Sequence, residues 1–408
     1  MKTIQLVINN RQYHLPDQPV VVICIDGNAP EYFDVAVTQG RMPFVASLFD
    51  KQFNHESKCV IPSFTNPNNM SIVTGATPAE HGICGNFFFN GHQDVMMTTP
   101  DLLRVPTILE AFHQKGAKVI AITAKDKLRT MLSHGLDCRD GKAICFSSEL
   151  ANQTTIEEHG IDNAEAIIGM ITPSVYSPEL SEFVFKAGVK LLQNEKPDLM
   201  YLTTTDFIQH TFAPEQEGAL SFYEMLDGYF SQLDQLGAKL VITADHGMNA
   251  KTDAQGKANV VFIDELLEPH FPHNSYRTIL PITDPYIAHH SALGSFAAIY
   301  VNNDALLNDI QDILSQQYGI AEVLTKAQAA ERFELAPDRI GDLILIAQDD
   351  VVLGKSAQHH DLSQLHGTLR SHGGISEQII PLVTNFAIEK TENMSLRNFD
   401  SFYLALQS

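Results

Sequence analysis

No stretch of this 408-residue chain stays apolar for the roughly 20 residues that a membrane-crossing helix needs; its longest apolar runs are of strand length. Basic residues are scarce. Against 49 Asp and Glu stand 27 Lys and Arg, a formal net charge of −22, and nucleic acid is therefore not an expected partner, because phosphate backbones are gripped by a basic footprint. The five cysteines (Cys24, Cys59, Cys84, Cys138, Cys145) are odd in number and lack CxxC spacing. No disulfide framework is implied, and a reducing cytoplasm fits. Cys24 falls inside a core strand, where a small buried thiol is the ordinary reading. The chain also lacks internal repeats, low-complexity tracts and Pro- or Ser-rich linkers. Its opening segment, MKTIQLVINNRQYHL, is apolar over too short a span for a secretory signal and reads as an edge strand.

What is present is an apolar content of 44%, ample for a buried core. LRVPTILEAFHQKGAKVIAIT reads as a helix followed by a strand, with Pro106 near the helix start and Gly116 as its stop. PELSEFVFKAGVKLLQNEKPDLMYLTTTD repeats that design, and GALSFYEMLDGYFSQLDQLGAKLVITADHG repeats it again. Strands alternating with helices of this length imply right-handed crossovers and an α/β fold, a mostly parallel sheet with helices on both faces. KCVIP, at 58–62, reads as a further strand. After Met248 the pattern loosens into short strands and small helices, and His372 appears only beyond them. The expected organisation is a core of residues 1–250 and 366–408, with 251–365 inserted as a smaller α+β cap domain.

Polar residues recur at the ends of the apolar runs. VVVICIDG reaches Asp26, LMYLTTTDFIQH carries Asp206 and His210, LVITADHG carries Asp245 and His246, and SHGG carries His372. In open α/β sheets ligands bind at the carboxyl edge of the strands. Three carboxylates and three imidazoles gathered there would repel or desolvate one another unless a pair of divalent metals sat among them. Asp206 and His210 share a face if the chain turns helical after the strand; a helix-capping Asp with an incidental His is the plain alternative. Gly247 allows the backbone to turn so that both Asp245 and His246 reach inward. Between Ser63 and Asn86, the hydroxyls of Ser63, Thr65, Ser71, Thr74 and Thr77 are all candidate nucleophiles. Thr65, where a loop meets NPNNMSIVTG, could equally cap a helix. Lys125 and Lys127 come after the strand KVIAIT at the same sheet edge and could bind a carboxylate or form part of a solvated charge run. Arg129, His289 and His290 are weaker candidates for that rim.

The ordered set of Asp26, SFTNPNN around Thr65, TGATPAEHGICGN through Asn86, Asp206 with His210, ADHG and His372 resembles the alkaline phosphatase superfamily, in particular its nucleotide pyrophosphatase/phosphodiesterase branch. The resemblance covers nearly the whole chain. The ICIDG start, CGNFFF, ITAKDKL and TDPYIAHHSALGSF look most like the phosphonoacetate hydrolase family within it. That likeness implies two Zn²⁺ per subunit, other divalent metals being admissible: Asp206, His210 and His372 would hold one, and Asp26, Thr65, Asp245 and His246 the other. It implies Thr65 as nucleophile and Thr65, Asn86, Lys125, Lys127 and His210 as substrate contacts. The reaction implied is cleavage of the C–P bond of phosphonoacetate, a small anion, to acetate and phosphate through a phosphothreonine intermediate. A phosphodiesterase or nucleotide pyrophosphatase with the same metals is the nearest rival, with Phe87–Phe89 as its nucleoside pocket. A non-catalytic, metal-dependent phosphonate-binding protein is the rival of another class. No membrane association is expected, and a homo-oligomer is left open.

Overall fold

The computed structural model describes residues 5–407 except 273, 284, 286–289, 364, 366 and 389–394. Eleven strands make the two larger sheets: β1 (Val20–Cys24), β2 (Asn54–Lys58), β3 (Val119–Thr123), β4 (Ala143–Ser147), β5 (Leu199–Thr203), β6 (Lys239–Thr243), β7 (Tyr276–Ile279), β8 (Phe296–Val301), β9 (Ile320–Thr325), β10 (Leu343–Ala347) and β11 (Ile379–Thr384). The main sheet has the order β2-β11-β6-β1-β5-β3-β4. Its five strands from β6 to β4 are parallel, and β11 and β2 add an antiparallel edge. The α/β reading of the sequence therefore holds.

Of the helices, α1 (Pro30–Thr38), α2 (Thr65–Thr74), α3 (Asp126–Leu132), α4 (Glu179–Glu195), α5 (Phe207–Thr211) and α6 (Glu217–Gln235) lie around this sheet. Central strands read as unbroken apolar runs because both faces are covered. In β1, Val20, Val22 and Cys24 face one apolar cluster, and Val21 and Ile23 face the other. The second cluster takes its helical side from α4 (Leu180, Phe183, Val184, Ala187, Leu191) and α6 (Phe222, Tyr223, Leu226, Phe230, Leu233). Both sets keep to the i, i+3, i+4, i+7 spacing that gives a helix one apolar stripe.

Helix α2 has no such stripe: all its residues after Thr65 are buried, three asparagines among them. Side-chain bonds make this burial tolerable. Asn68 Oδ1 accepts from the Val60 N–H at 2.7 Å and from Asn398 Nδ2 at 2.9 Å. Gly75, at φ +64°, closes the helix in the left-handed conformation.

The smaller sheet, in the order β7-β8-β10-β9, is antiparallel throughout. Phe296, Ala298, Ile344 and Ile346 join the apolar cluster of the main sheet, while Ile299, Leu343 and Leu345 face a separate one. Phe296 meets Phe64 edge-on, with ring centroids 5.9 Å apart. The smaller sheet is thus packed against the entry to α2.

Two local readings are corrected. KCVIP is not a strand: β2 spans Asn54–Lys58, and the chain leaves the sheet at Cys59 so that Asn68 can take the Val60 N–H. The amino-terminal segment is no edge strand of the main sheet but a separate hairpin, Gln5–Ile8 with Arg11–His14. Its turn residues Asn9 and Asn10 both have positive φ, the signature of a tight hairpin turn. All five cysteines are buried and free, and no helix among the described residues is long and apolar enough to cross a membrane.

His81 gives the fold a pH dependence. Its Nδ1 accepts the Ile83 N–H at 3.1 Å, so Nε2 carries the hydrogen and donates to Ser71 Oγ at 2.8 Å. Burial, with the Arg339 guanidinium nearby, pushes His81 down to about 3. Below its ordinary value, roughly 6.5, the unfolded chain takes up a proton that the fold refuses, so this contribution to stability falls as pH drops from that value towards about 3. Urea midpoints should decline across that window, and His81→Gln should flatten part of the slope.

Candidate metal centre

In register, Cys24 pairs with both Thr243 and Thr203, and Thr203 pairs with Thr123. The parallel strands therefore end level, and the residues immediately beyond them share a single edge. Asp26 and Asp206 come just after β1 and β5, and Asp245 and His246 just after β6. His372 comes directly after the short strand Arg370–Ser371, which pairs with Asn249–Ala250 just beyond His246. The long intervening chain does return to the sheet edge.

Two groups of side chains place their ligating atoms within 4.8 Å of one another: Asp206, His246 and His372, and Asp26, Asp245 and His246. His210 joins through Asp206, with Nε2 2.9 Å from Oδ2. That contact arises as expected, because α5 begins directly after Asp206 and brings i and i+4 together. Asp245 and His246 are fully buried, and Asp26 and His372 are at most 5% exposed.

The three imidazoles are oriented alike. Nδ1 of His210 donates to the Arg370 carbonyl at 2.8 Å, that of His246 to Gly247 at 2.8 Å, and that of His372 to Ser63 at 2.7 Å. A carbonyl can only accept, so Nδ1 carries a hydrogen and Nε2 is the nitrogen turned towards the carboxylates. Backbone anchoring of this kind is how metal-ligating histidines are fixed in tautomer and direction. Rings of His246 and His372 stack at 3.6 Å with 5° between planes.

Without cations the charges conflict. Burial pushes Asp26 well above the carboxylate range, and the carboxylates of Asp206 and Asp245 push it further. Burial raises Asp245 too, against the pull of His246. Burial opposes a charged His246, but Asp245, Asp26 and Asp206 outweigh it and lift it to about 10. His372, buried and stacked on that imidazole, is driven well below its ordinary value. Protons are standing in for positive charge that the pocket demands. Carboxylate oxygens and imidazole nitrogens are the donors of divalent transition metals, and the residues present fit such ions.

Thr65 opens α2, one residue inside the helix; Phe64 occupies the cap position, so Thr65 is not the cap. Its half-buried Oγ1 lies 3.4 Å from Asp26 Oδ1 and 3.3 Å from His246 Nε2. Ser71 and Thr74 are buried within α2, and Ser63 Oγ donates to the Gly374 carbonyl.

Asn69 supports the centre and was not singled out from the sequence. Its Nδ2 donates to Asp245 Oδ2 at 3.1 Å, and its Oδ1 accepts from the Tyr201 hydroxyl at 2.6 Å. Its place four residues after Thr65, on the same helical face, was the available signal. Asp245 Oδ1 also accepts N–H groups from Gly27 and His246.

Among the other expected residues, Asn86 is half-buried and donates through Nδ2 to the Ile282 carbonyl at 2.7 Å. Lys125 caps α3 at the end of β3, its ammonium 5.5 Å from the Tyr176 ring, and Lys127 is exposed two residues on. Arg129 pairs with Asp126 at 2.9 Å and with Glu158 at 3.1 Å. His289 lies outside the described residues, and His290 begins the turn His290–Ala292.

Known proteins resemble this chain over most or all of its length in structure, and over part of it in one curated sequence. The family model for type I phosphodiesterase / nucleotide pyrophosphatase matches residues 20–374. Phosphonoacetate hydrolase from Sinorhizobium meliloti 1021, solved in complex with phosphonoacetate and with phosphonoformate, is 47% identical with a TM-score of 0.97. The match covers 100% of this chain and 99% of that one. Murine ectonucleotide pyrophosphatase/phosphodiesterase 5 shares the fold at a TM-score of 0.60 and 17% identity, over 95% of this chain and 94% of that one. An uncharacterized pyrophosphatase/phosphodiesterase of Schizosaccharomyces pombe is 24% identical over 262 residues, 57% of this chain. The chain thus spans 45% of the length of that curated relative.

Gly27 keeps the approach between strands open. It sits at φ +71°, and a Cβ there would lie 3.1 Å from Gln209 Cβ and 3.2 Å from Asp206 Cβ. Gly27→Ala should cost about 1–2 kcal/mol for the left-handed backbone alone and displace Asp206, measurable as a lowered urea midpoint together with weakened divalent-cation binding.

Proposed function

The chain belongs to the type I phosphodiesterase / nucleotide pyrophosphatase family, and from that premise we propose that it hydrolyses phosphonoacetate to acetate and phosphate. The observation that carries this reading is the full-length match, at 47% identity, to a phosphonoacetate hydrolase solved with that ligand. The donor groups and the Thr65 hydroxyl gathered at one sheet edge support it.

Asp206, His210 and His372 would hold one divalent ion, and Asp26, Thr65, Asp245 and His246 a second. His246 reaches both groups; we keep it with Asp26, its nearest carboxylate at 3.2 Å. Zinc suits this donor set, and when bound the ions would supply Lewis-acid charge that favours the alkoxide form of a hydroxyl and neutralises phosphoryl oxygens. Thr65 Oγ1 attacks phosphorus as its O–H hydrogen leaves towards Asp26 Oδ1, 3.4 Å away. The Thr65–phosphorus bond forms as the C–P bond breaks. The released electron pair delocalises onto the adjacent carboxylate as an enediolate, which takes a proton from water to become acetate. Lys125 and Lys127 would hold that carboxylate, and the charge they face rises as the bond breaks, so their contribution is larger in the transition state. Asn86 Nδ2, with one hydrogen on the Ile282 carbonyl, has a second for a phosphoryl oxygen. Water then hydrolyses phosphothreonine at position 65, releasing phosphate.

Residues 251–365, with the smaller sheet as their centre, would be the cap over this site. The five buried thiols agree with a reducing, cytoplasmic setting. The nucleoside-binding alternative is disfavoured by Phe89, whose ring is already covered by the Arg277 guanidinium at 4.6 Å and meets Tyr300 edge-on.

Incubation with phosphonoacetate, with assay of acetate and phosphate, tests the reading; release from a nucleotide diester but not from phosphonoacetate would reverse it. Thr65→Ala should abolish turnover while Thr65→Ser keeps part of it; near wild-type rates in Thr65→Ala would mean that water attacks directly.

Lys125→Ala and Lys127→Ala should each cost on the order of 1.5–3 kcal/mol in transition-state binding, roughly 10- to 100-fold in kcat/KM for phosphonoacetate. An aryl phosphate, which has no carboxylate, should lose much less. Equal losses on both substrates would assign the lysines to the phosphoryl group or to the fold.

A further inference from the structure

Lys251 and Glu377 form an ion pair at 2.7 Å with both side chains fully buried. Removing two charges from water is costly, and apolar side chains of similar volume often serve stability as well or better, so such a pair calls for a reason beyond stability. Its connections suggest one. Glu377 Oε2 accepts the Gly374 N–H at 3.0 Å, two residues beyond His372. The main-chain carbonyl of Glu377 accepts the Gly247 N–H at 2.8 Å, immediately after His246. Its Oε1, besides Lys251, takes Asn249 Nδ2 at 2.7 Å. A single residue therefore ties together the two loops whose histidines stack at 3.6 Å.

Lys251 extends the tie. Its Nζ donates to the Asp349 carbonyl at 2.6 Å, in the turn after β10 of the smaller sheet. Its own N–H donates to the Leu369 carbonyl, three residues before His372. The ammonium is thus shared between Glu377, which spans the histidine loops, and the end of a strand in the other sheet.

We infer that the buried Lys251–Glu377 pair is a positioning device that sets His246 against His372 and fixes both to the smaller sheet. The inference rests on the proposed role of these histidines as metal ligands. Neither Lys251 nor Glu377 offers an atom to the centre, so the effect is on where the ligands sit rather than on what they are.

The test uses Glu377→Gln and the double variant Lys251→Met/Glu377→Gln, which leaves no unpaired buried charge should the single variant fail to fold. Zn²⁺ affinity is measured by competition with a chromophoric chelator, Co²⁺ visible spectra report ligand geometry, and urea unfolding of metal-free protein reports the fold. A positioning role predicts a folded double variant that binds Zn²⁺ at least tenfold more weakly and has shifted Co²⁺ bands. Wild-type affinity and spectra in a folded double variant overturn the inference while the metal reading stands. A wild-type chain that binds no divalent ion overturns both.

Discussion

Three carboxylates share one buried pocket, and the rest of the molecule is arranged around that electrostatic conflict. Burial disfavours the charged forms of Asp26 and Asp245, and the Asp206 carboxylate adds to the penalty on both. Protons alone give only partial relief. His246 can be held charged to about 10, but His372, stacked on it, is driven neutral by burial and then by that charge. All three histidines spend Nδ1 on a backbone carbonyl and present Nε2 to the carboxylates. That arrangement is suited to cations of higher charge than a proton, and it places a hydroxyl, Thr65 Oγ1, beside them.

The fold delivers this pocket by register. Parallel strands that end level bring residues from distant parts of the chain to one edge, and Gly27 leaves room for Asp206 to come close. Helix α2 then carries Thr65 at its open end and Asn69 one turn in, so the proposed nucleophile and a support for Asp245 belong to one helix. An acidic chain and the anionic substrate proposed for it would be reconciled locally, by cations bound at the centre and by Lys125 at the end of β3.

Much of this was legible in the sequence because it depends on periodicity and on strand ends. Unbroken apolar runs such as VVVIC mark strands covered on both faces, and a charged residue just past such a run must be at the edge. The Asp206–His210 pairing came from helical spacing. Less legible were features that depend on distant partners. The KCVIP segment has strand-like composition but leaves the sheet because Asn68 takes its backbone N–H. Arg129 sits among candidate rim cations yet pairs with Asp126 and with Glu158, which lies 29 residues further along the chain. Asn69 was visible as a polar residue in a motif, but its service to Asp245, 176 residues away, required the fold.

The central claim is that this cluster holds a pair of divalent cations which the chemistry requires. Native mass spectrometry of the purified chain, with turnover of phosphonoacetate measured in the same samples, tests it directly. The account predicts two bound ions per chain, and acetate release that falls to zero as chelation removes them and returns when they are restored. A chain that carries no divalent ion and still releases acetate and phosphate would contradict it.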